Sequence, residues 1–339
     1  MNRIRAFKLA LLVTAVSLAL VFPASGQEPF VVKIATISPE GTAITKALKT
    51  AGDEIKARTG GRVSFRIYPG GVMGSDSVVM RKMRTGQIHA SSFTAGGMSA
   101  AYPNYQIMSL PLLFLDYREV DAVRAKIEPL LTKGCEEKGY VSLGIVETGF
   151  VYIMSNKPIG GPDDLRGRKV WIPEGDPIGR AVFEAAHVPP VPLPLPDVLT
   201  GLQTGLLDTV SSSPIGTLVL QWFTKVKYLT ESPLLYSYGT FAFSKEAWEK
   251  IPVADRPIVR EITIREIRKL DAQNRLDNDA AMETLKKQGL KFIPMSPGAM
   301  PKLQQIADTA ISNLMKQGQF DAGMLQEIRS TVKTVRSPK

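Results

Sequence analysis

The 339-residue sequence has little of the chemistry on which disulfide-stabilised proteins and metalloenzymes depend. Its single cysteine, Cys135, cannot form an intramolecular disulfide, so the fold has to be held together by packing. Its two histidines, His89 and His187, lie far apart in the sequence and form no metal-ligand spacing such as HxxxH. We therefore expect neither a disulfide framework nor a metal site.

Recognisable catalytic motifs are also missing. The sequence has no GxSxG, no phosphate-binding GxxxxGKS/T and no dinucleotide glycine fingerprint. The glycine cluster at 70–74 suits a tight turn better than a phosphate cradle, and the paired acids Asp163 and Asp164 suit a surface turn. We expect no catalytic residue and no cofactor, and a periplasmic enzyme is the weaker alternative.

Basic blocks with interleaved aromatic residues do not occur. The formal net charge is +10, and it falls to +7 when the three cations of the first 26 residues are left out. The remaining excess is spread along the chain, which is typical of a solvated surface rather than of a nucleic-acid interface. We therefore expect no nucleic-acid partner.

Long apolar runs are confined to the N-terminus. Arg3, Arg5 and Lys8 precede the apolar run 9–22, and small residues up to Gly26 follow it. This order is typical of a secretory signal peptide, and its apolar core of about 14 residues is shorter than the roughly 20 needed to span a bilayer. We expect cleavage near Gly26 and a soluble mature protein in the periplasm.

The rest of the sequence alternates between the strand and the helix periodicity. Its first part predicts a strand at 31–38, a helix at 42–59, a strand at 62–69, a helix at 75–86 and a strand at 88–95. This order predicts an α/β fold with a mainly parallel sheet, whose ligands bind beyond the carboxyl ends of the strands. The loops after Ile37 and Phe93 are therefore expected to border the site.

The length and the pattern predict two lobes and one long helix. We expect lobe I at 27–149 plus about 238–255, and lobe II at 150–237 plus about 290–339. The segment at about 256–288 mixes charged and apolar positions at helical spacing. It contains no glycine and ends before Gly289. We expect this segment to form a helix that spans both lobes.

Several segments together resemble one family. They read KIATISPEGT from Lys33, TGGRVSFRIYPGGVMGSDSVVMRKMRTGQIHASSF from Thr59, LPLLF from Leu110, DLRGRKVWIP from Asp164, PVPLPLPDVLTGLQTGLLD from Pro190 and KVKYLTESPLLYSYGTFAFSKEAWEKIP from Lys225. These segments are similar to the dicarboxylate-receptor (DctP) type of solute-binding proteins of tripartite ATP-independent periplasmic (TRAP) transporters. The resemblance implies a two-lobed periplasmic-binding-protein-like α/β fold with crossing strands and a long bracing helix. It also implies a cleft that closes on a small molecule, which is then passed to membrane permease subunits.

Three positions depart from the pattern of carboxylate receptors. Such receptors typically hold the carboxylate with an arginine in a KxRVP strand, where this chain has KVWIP and therefore Trp171. A second arginine of a GFR segment is replaced by Val151. A DGQENP segment is replaced by DTVSSSP, which puts hydroxyls at 211–213 in place of an amide.

These departures predict a more apolar or atypical ligand, because a buried carboxylate needs a compensating partner. The resemblance and the strand ends together give eleven expected ligand-binding residues: Ser38, Pro39, Glu40, Thr94, Ala95, Val151, Trp171, Ser212, Pro214, Trp222 and Tyr238. For Trp171 and Trp222, plain core packing is the alternative interpretation. A cleft-facing Glu40 would further disfavour an anionic ligand.

Two alternatives stay open. An anionic ligand could be met by backbone N–H groups near 175–178, or by Arg180 or Lys225. The chain could also carry a lipid-like or hydrophobic ligand together with a partner other than a permease, such as an accessory periplasmic protein.

Overall fold

The computed structural model describes residues 28–337. The expected signal peptide therefore lies outside the described residues. The first half contains β1 (Phe30–Thr36), α1 (Ala43–Arg58), β2 (Val63–Tyr68), α2 (Asp76–Arg84), β3 (Ala90–Thr94), α3 (Ala95–Ser99), the 3-10 helix Pro103–Ser109 and α4 (Tyr117–Glu137). The five elements from β1 to β3 agree closely with the strand and helix order predicted from the periodicity.

The second half begins with a long strand, β4 (Tyr140–Ser155). Shorter elements follow: the 3-10 helix Pro162–Leu165, β5 (Trp171–Pro173), α5 (Pro177–Ala185), β6 (Val191–Leu193), the 3-10 helix Leu195–Asp197, α6 (Val198–Thr204), β7 (Thr209–Ser212), α7 (Pro214–Val219), the 3-10 helix Trp222–Thr224 and β8 (Tyr228–Thr230). The chain then forms β9 (Leu235–Ser244), α8 (Lys245–Lys250), α9 (Arg256–Lys287), β10 (Lys291–Ile293), α10 (Ala299–Lys316) and α11 (Ala322–Arg336).

An eight-stranded sheet with the order β10-β8-β4-β9-β3-β1-β2, in which β7 also pairs with β4, runs through both halves. We call the side with β1, β2 and β3 the first lobe, and the side with β7, β8 and β10 the second lobe. Strands β4 and β9 pair with each other and cross from one lobe to the other. The two-lobed α/β fold with crossing strands is thus confirmed.

The sheet is mixed, and the expectation of a mainly parallel sheet is wrong. Strand β1 is parallel to β2 and β3, as predicted, but β9 is antiparallel to both β3 and β4, and β4 is antiparallel to β7 and β8. The physical reason is the crossover between the lobes. Strand β4 takes the chain from the first lobe to the second and β9 takes it back, so the two strands run in opposite directions. Gly239 allows β9 to lie close to β3, because a Cβ there would lie 2.1 Å from the Phe93 carbonyl oxygen.

Helix α9 packs on α1, on β4 and on α7, and so touches both lobes. Pro257 occupies its first turn, where a missing N–H costs nothing, and Gly289, at φ +92°, follows its end. The side chains of Asn274 and Asn278 donate hydrogen bonds to the carbonyl oxygens of Glu147 (2.7 Å) and Thr148 (2.9 Å) in β4. The helix is therefore fixed to the middle of the crossing strand.

The two C-terminal helices have different main neighbours. Helix α10 packs on α5, and α11 packs on α4, where Leu325, Ile328 and Val332 join the same core as Ile127 and Leu131. The packing of α11 differs from the sequence expectation, which assigns all of 290–339 to lobe II. No helix within residues 28–337 is both long and apolar enough to cross a membrane.

Candidate functional site

A cleft lies where the two lobes face each other, and it encloses about 360 Å³. The loops after β1 and β3 form its first-lobe wall, as the strand order predicts. Strands β4 and β9 and helix α9 border its floor, through Glu147, Ser237 and Asn274. Strands β5 and β7 and helix α7 form its second-lobe wall.

The structure brings most of the expected ligand-binding residues together around this cleft. Eight of the eleven border it: Ser38, Thr94, Ala95, Val151, Trp171, Ser212, Trp222 and Tyr238. Their role in ligand binding stays a prediction, but their convergence from seven separate segments supports it.

Three expected residues do not border the cleft. The carbonyl oxygen of Pro39 accepts a hydrogen bond from the Thr42 hydroxyl at 2.8 Å, and Pro39 lies outside the cavity lining although Ser38 and Thr42 border it. Glu40 forms an ion pair with Lys49, and its side chain is 56% exposed. Pro214 is buried as the first residue of α7 and does not reach the cavity. Their expected positions are therefore corrected, because turn direction and helix packing are not visible in the strand pattern.

Trp171 and Trp222 form an aromatic wall. Their ring centroids are 5.2 Å apart and their planes meet at 79°, an edge-to-face arrangement. Both indoles belong to a buried apolar cluster of the second lobe, and both also border the cleft. The indole N–H of Trp171 donates to the Leu193 carbonyl oxygen at 3.0 Å, which fixes the ring. Trp171 and Trp222 thus pack in the core of the second lobe and line the cleft at the same time.

Tyr238 presents an aromatic ring with an occupied hydroxyl. Its OH donates to the Tyr105 carbonyl oxygen and accepts from Met108 N at 3.3 Å. Burial raises the pKa of Tyr238 well above its usual value, so the phenol stays neutral. Together with Val151 and Leu235, it adds apolar surface to the floor of the cleft.

Thr94 holds the loop between β3 and α3. Its hydroxyl accepts from Gly97 N at 2.8 Å, which caps α3, and donates to Asp76 Oδ2 at 2.7 Å. Thr94 N also donates to Asp76 Oδ2, at 3.1 Å. Burial raises the pKa of Asp76 to about 6, although both hydrogen bonds favour its ionised form. Because these bonds occupy Thr94, its contribution to the cleft wall is its position rather than a free hydroxyl.

Serine hydroxyls supply the uncommitted polar surface of the cleft. Ser211 and Ser212 on β7 and Ser237 on β9 all border the cavity. Among the hydrogen bonds of residues 28–337, none involves the hydroxyls of these three serines, whereas the Ser213 hydroxyl caps α7 by accepting from Gly216 N at 3.2 Å. The serines can therefore donate to or accept from a ligand.

The charged residues at the cleft are all acidic. Glu147, Glu174 and Asp176 border it, and no lysine, arginine or histidine of residues 28–337 does. Glu147 is compensated, because Arg275 donates to both of its oxygens, at 2.7 and 2.9 Å, and the Tyr236 hydroxyl donates at 2.8 Å. Glu174 and Asp176 have no cationic partner within the described chain.

Asp176 caps the N-terminus of α5, where residues 175–178 were expected to offer an alternative anion site. Its carboxylate accepts from Ile178 N and Gly179 N, both at 3.1 Å, and so engages N–H groups that an anionic ligand would need. Burial raises the pKa of Asp176, although these hydrogen bonds act in the opposite direction. Arg180, one of the two candidate cations, pairs instead with Glu184 on the surface at 3.8 Å. Lys225, the other, does not border the cavity.

Gln106 is one of several polar cleft residues that the sequence interpretation missed. It lies in the 3-10 helix Pro103–Ser109, is 6% exposed and donates through Nε2 to Asp176 Oδ1 at 2.6 Å. This bond joins the first lobe to the second. No motif marks Gln106, although the order Asp176-Pro177 is a recognisable helix start that could have drawn attention to Asp176.

Comparison with known proteins places this geometry in a family. A family model described as "Bacterial extracellular solute-binding protein, family 7" (DctP) matches residues 34–317. The chain belongs to this family. The expectation of a TRAP-type solute-binding receptor is thereby confirmed, and members of this family are receptors rather than enzymes.

Individual relatives agree with the family match. A solute-binding protein of Verminephrobacter eiseniae is 27% identical over 289 residues, which cover 84% of each chain. The C4-dicarboxylate-binding periplasmic protein DctP of Rhodobacter capsulatus is 24% identical over 279 residues, covering 81% of this chain and 83% of the relative. A TRAP periplasmic solute-binding protein of Sulfurospirillum deleyianum, solved with bound succinate, superposes with a TM-score of 0.83 at 20% identity and covers 90% of this chain and 99% of its own.

Proposed function

We propose that this DctP-family receptor binds a small solute without a carboxylate and passes it to the permease subunits of a TRAP-type transporter. The solute has an apolar body and lies between the two lobes. The observation that carries this proposal is the cleft lining, in which aromatic and aliphatic side chains, hydroxyls and three carboxylates occur without a cation among the described residues.

The energetics of the cleft disfavour an organic acid. Burying a carboxylate costs several kcal/mol unless a cation or several hydrogen bonds compensate it. Here Trp171 and Val151 stand at the positions where the family resemblance implies arginines, and Asp176 occupies the N-terminus of α5. An anionic ligand would therefore lie near Glu174 and Asp176 without a cation among the described residues to compensate it.

The same energetics favour apolar surface on the solute. Each Å² of apolar surface that leaves water stabilises a complex by roughly 25 cal/mol, and the two indoles offer a rigid wall against which such surface can pack. A cavity of about 360 Å³ lies within the range of small-molecule pockets. The proposal thus concerns a compact solute rather than a long-chain lipid.

The transport role has two further parts. We place the mature protein in the periplasm, in keeping with the family description and with the secretory pattern of the first 26 residues. Its partners are the solute and the membrane permease subunits, and an accessory periplasmic protein is a second partner to be tested. The receptor releases its solute chemically unchanged.

The test is native mass spectrometry of the protein purified from its periplasmic fraction, followed by identification of the small molecule that denaturation releases. We expect a compact compound without a carboxylate, and its return to the apo protein should raise the melting temperature. A C4-dicarboxylate released at near unit occupancy would contradict the proposal. A long-chain lipid would instead favour the carrier alternative.

A further inference from the structure

We propose that Gln106 and Asp176 form a corner of the cleft that accepts a hydrogen bond from an N–H or O–H group of the solute. This inference rests on the proposed function and specifies the polar end of the solute. We call the two side chains the acceptor corner. It predicts an amine, amide or alcohol as the polar group, with an apolar body against Trp171 and Trp222.

The first observation is an acceptor without a partner. Gln106 is 94% buried, and its Oε1 is one of only two buried side-chain polar atoms in residues 28–337 that have no hydrogen-bond partner. The other, Thr263 Oγ1, does not border the cleft. A buried acceptor without a donor is unfavourable. A hydrogen bond from the ligand to this oxygen therefore stabilises the complex more than a hydrogen bond to an acceptor that already has a partner.

The second observation fixes which end of the amide is free. Gln106 Nε2 donates to Asp176 Oδ1 at 2.6 Å, and a carboxylate only accepts hydrogen bonds. Rotating the amide by 180° would place two acceptor oxygens against each other. The carboxylate thus orients the amide so that Oε1 is the atom without a partner, while Nε2 is engaged through one of its two N–H groups.

The third observation is the sign of the surrounding charge. Two acidic residues of the second lobe, Glu174 and Asp176, border the cleft. Glu147 on the floor also borders it, but its charge is compensated by Arg275. A donor is favoured beside these oxygens, and a protonated amine is favoured over a neutral alcohol by the same charges. The uncommitted hydroxyls of Ser211 and Ser237 can accept any remaining donors of the same group.

The position of the corner connects binding with the meeting of the lobes. Gln106 belongs to the first lobe, and Asp176 caps α5 in the second. A solute donor at Oε1 therefore completes the hydrogen bonding of Gln106, whose Nε2 already donates to Asp176 in the other lobe. Its binding stabilises the arrangement in which Gln106 and Asp176 are in contact.

The experiment uses four probes with one aromatic body: 2-phenylethylamine, 2-phenylethanol, ethylbenzene and 3-phenylpropionate. Affinities are measured by calorimetric titration of the ligand-free mature protein. We expect the amine to bind at least as tightly as the alcohol, and both to bind about tenfold more tightly than ethylbenzene or the carboxylate.

Two variants assign the effect to the acceptor corner. Gln106→Met keeps the length of the side chain and removes the acceptor, so it should weaken the amine and the alcohol about tenfold and leave ethylbenzene unchanged. Asp176→Asn keeps a cap for α5 but no longer fixes the amide, so it should weaken the same two probes by a smaller factor. The surface variant Gln304→Met, exposed on α10, is the matched control and should change no affinity.

The outcomes separate the two proposals. Equal affinities for ethylbenzene, the amine and the alcohol would overturn the acceptor corner and leave the apolar cleft standing. Tightest binding of 3-phenylpropionate would overturn both. Failure of all four probes to bind, or an unchanged amine affinity in both variants, would also overturn the acceptor corner. If Gln106→Met does not fold, as judged by circular dichroism, the result for Asp176→Asn decides.

Discussion

The indole N–H of Trp171 reaches across to the carbonyl oxygen of Leu193, 3.0 Å away, and so fixes the ring that meets Trp222 edge to face. Trp171 and Leu193 lie on the neighbouring strands β5 and β6, which form a parallel pair apart from the main sheet. A tryptophan at this position therefore serves two purposes. Its body forms an apolar wall, and its one polar group stays within the second lobe.

Replacing Trp171 by phenylalanine should lower the free energy of unfolding by removing this hydrogen bond. We expect Trp171→Phe to cost about 1 kcal/mol more than Trp248→Phe, since the Trp248 indole packs on Phe243 in a first-lobe core and donates no hydrogen bond within the described chain. Urea denaturation of both variants checks this difference. Equal costs would show that the bond to Leu193 contributes nothing to stability.

Removing Arg275 should destabilise the crossing of the lobes. Its guanidinium pairs with Glu147, whose side chain is fully buried, and with the more exposed Asp121. Arg275→Met leaves the Glu147 carboxylate without a cation, and we expect a loss of roughly 3–5 kcal/mol in the free energy of unfolding. The measurement is again urea denaturation.

An exposed ion pair provides the control for that loss. Lys250 and Glu246 are 2.8 Å apart at the surface, so Lys250→Met should cost less than about 1 kcal/mol. The double variant Glu147→Gln/Arg275→Met should recover part of the loss, because it removes the buried charge itself. A cost for Arg275→Met no larger than for Lys250→Met would disprove the role of this pair.

Asp76 should make stability depend on pH in a particular direction. Its pKa is about 6 in the folded protein, raised by burial from the usual 3.8, so the folded chain binds this proton more tightly than the unfolded chain. The resulting stabilisation is complete below about pH 4 and is lost as the pH rises through about 6. Asp76→Asn, which is neutral throughout, should therefore gain stability relative to the wild type between those values.

Denaturation curves of wild type and Asp76→Asn at about pH 4 and about pH 7.5 test this sign. Asp53→Asn controls for the change in net charge, because Asp53 is exposed on α1. A stability difference between wild type and Asp76→Asn that is the same at both pH values would refute the assignment.

The sequence was informative wherever local pattern decides structure. Ser38, Thr94 and Ala95 could be placed at the cleft because they follow strands whose carboxyl ends share one edge of the sheet. The departures at Val151 and Trp171 were visible only against the family pattern. Both residues do border the cleft, and their effect on the ligand is what the proposals address.

Other features depend on contacts between distant parts of the chain. Gln106 and Asp176 are 70 residues apart, and nothing local to either residue indicates their hydrogen bond. The antiparallel course of β9 follows from the crossing of the lobes rather than from its own periodicity. Glu40 illustrates the opposite error, since a loop residue next to a strand end turned out to pair with Lys49 on the surface.

The most direct test of the central claim is a calorimetric titration of the ligand-free mature protein with succinate, the ligand of a structurally similar receptor. We predict no saturable binding up to about 1 mM, because the cleft lining offers a carboxylate no cation among the described residues and Asp176 already caps the N-terminus of α5. The compound identified by native mass spectrometry should bind under the same conditions. One-site binding of succinate with a dissociation constant in the micromolar range would contradict the account.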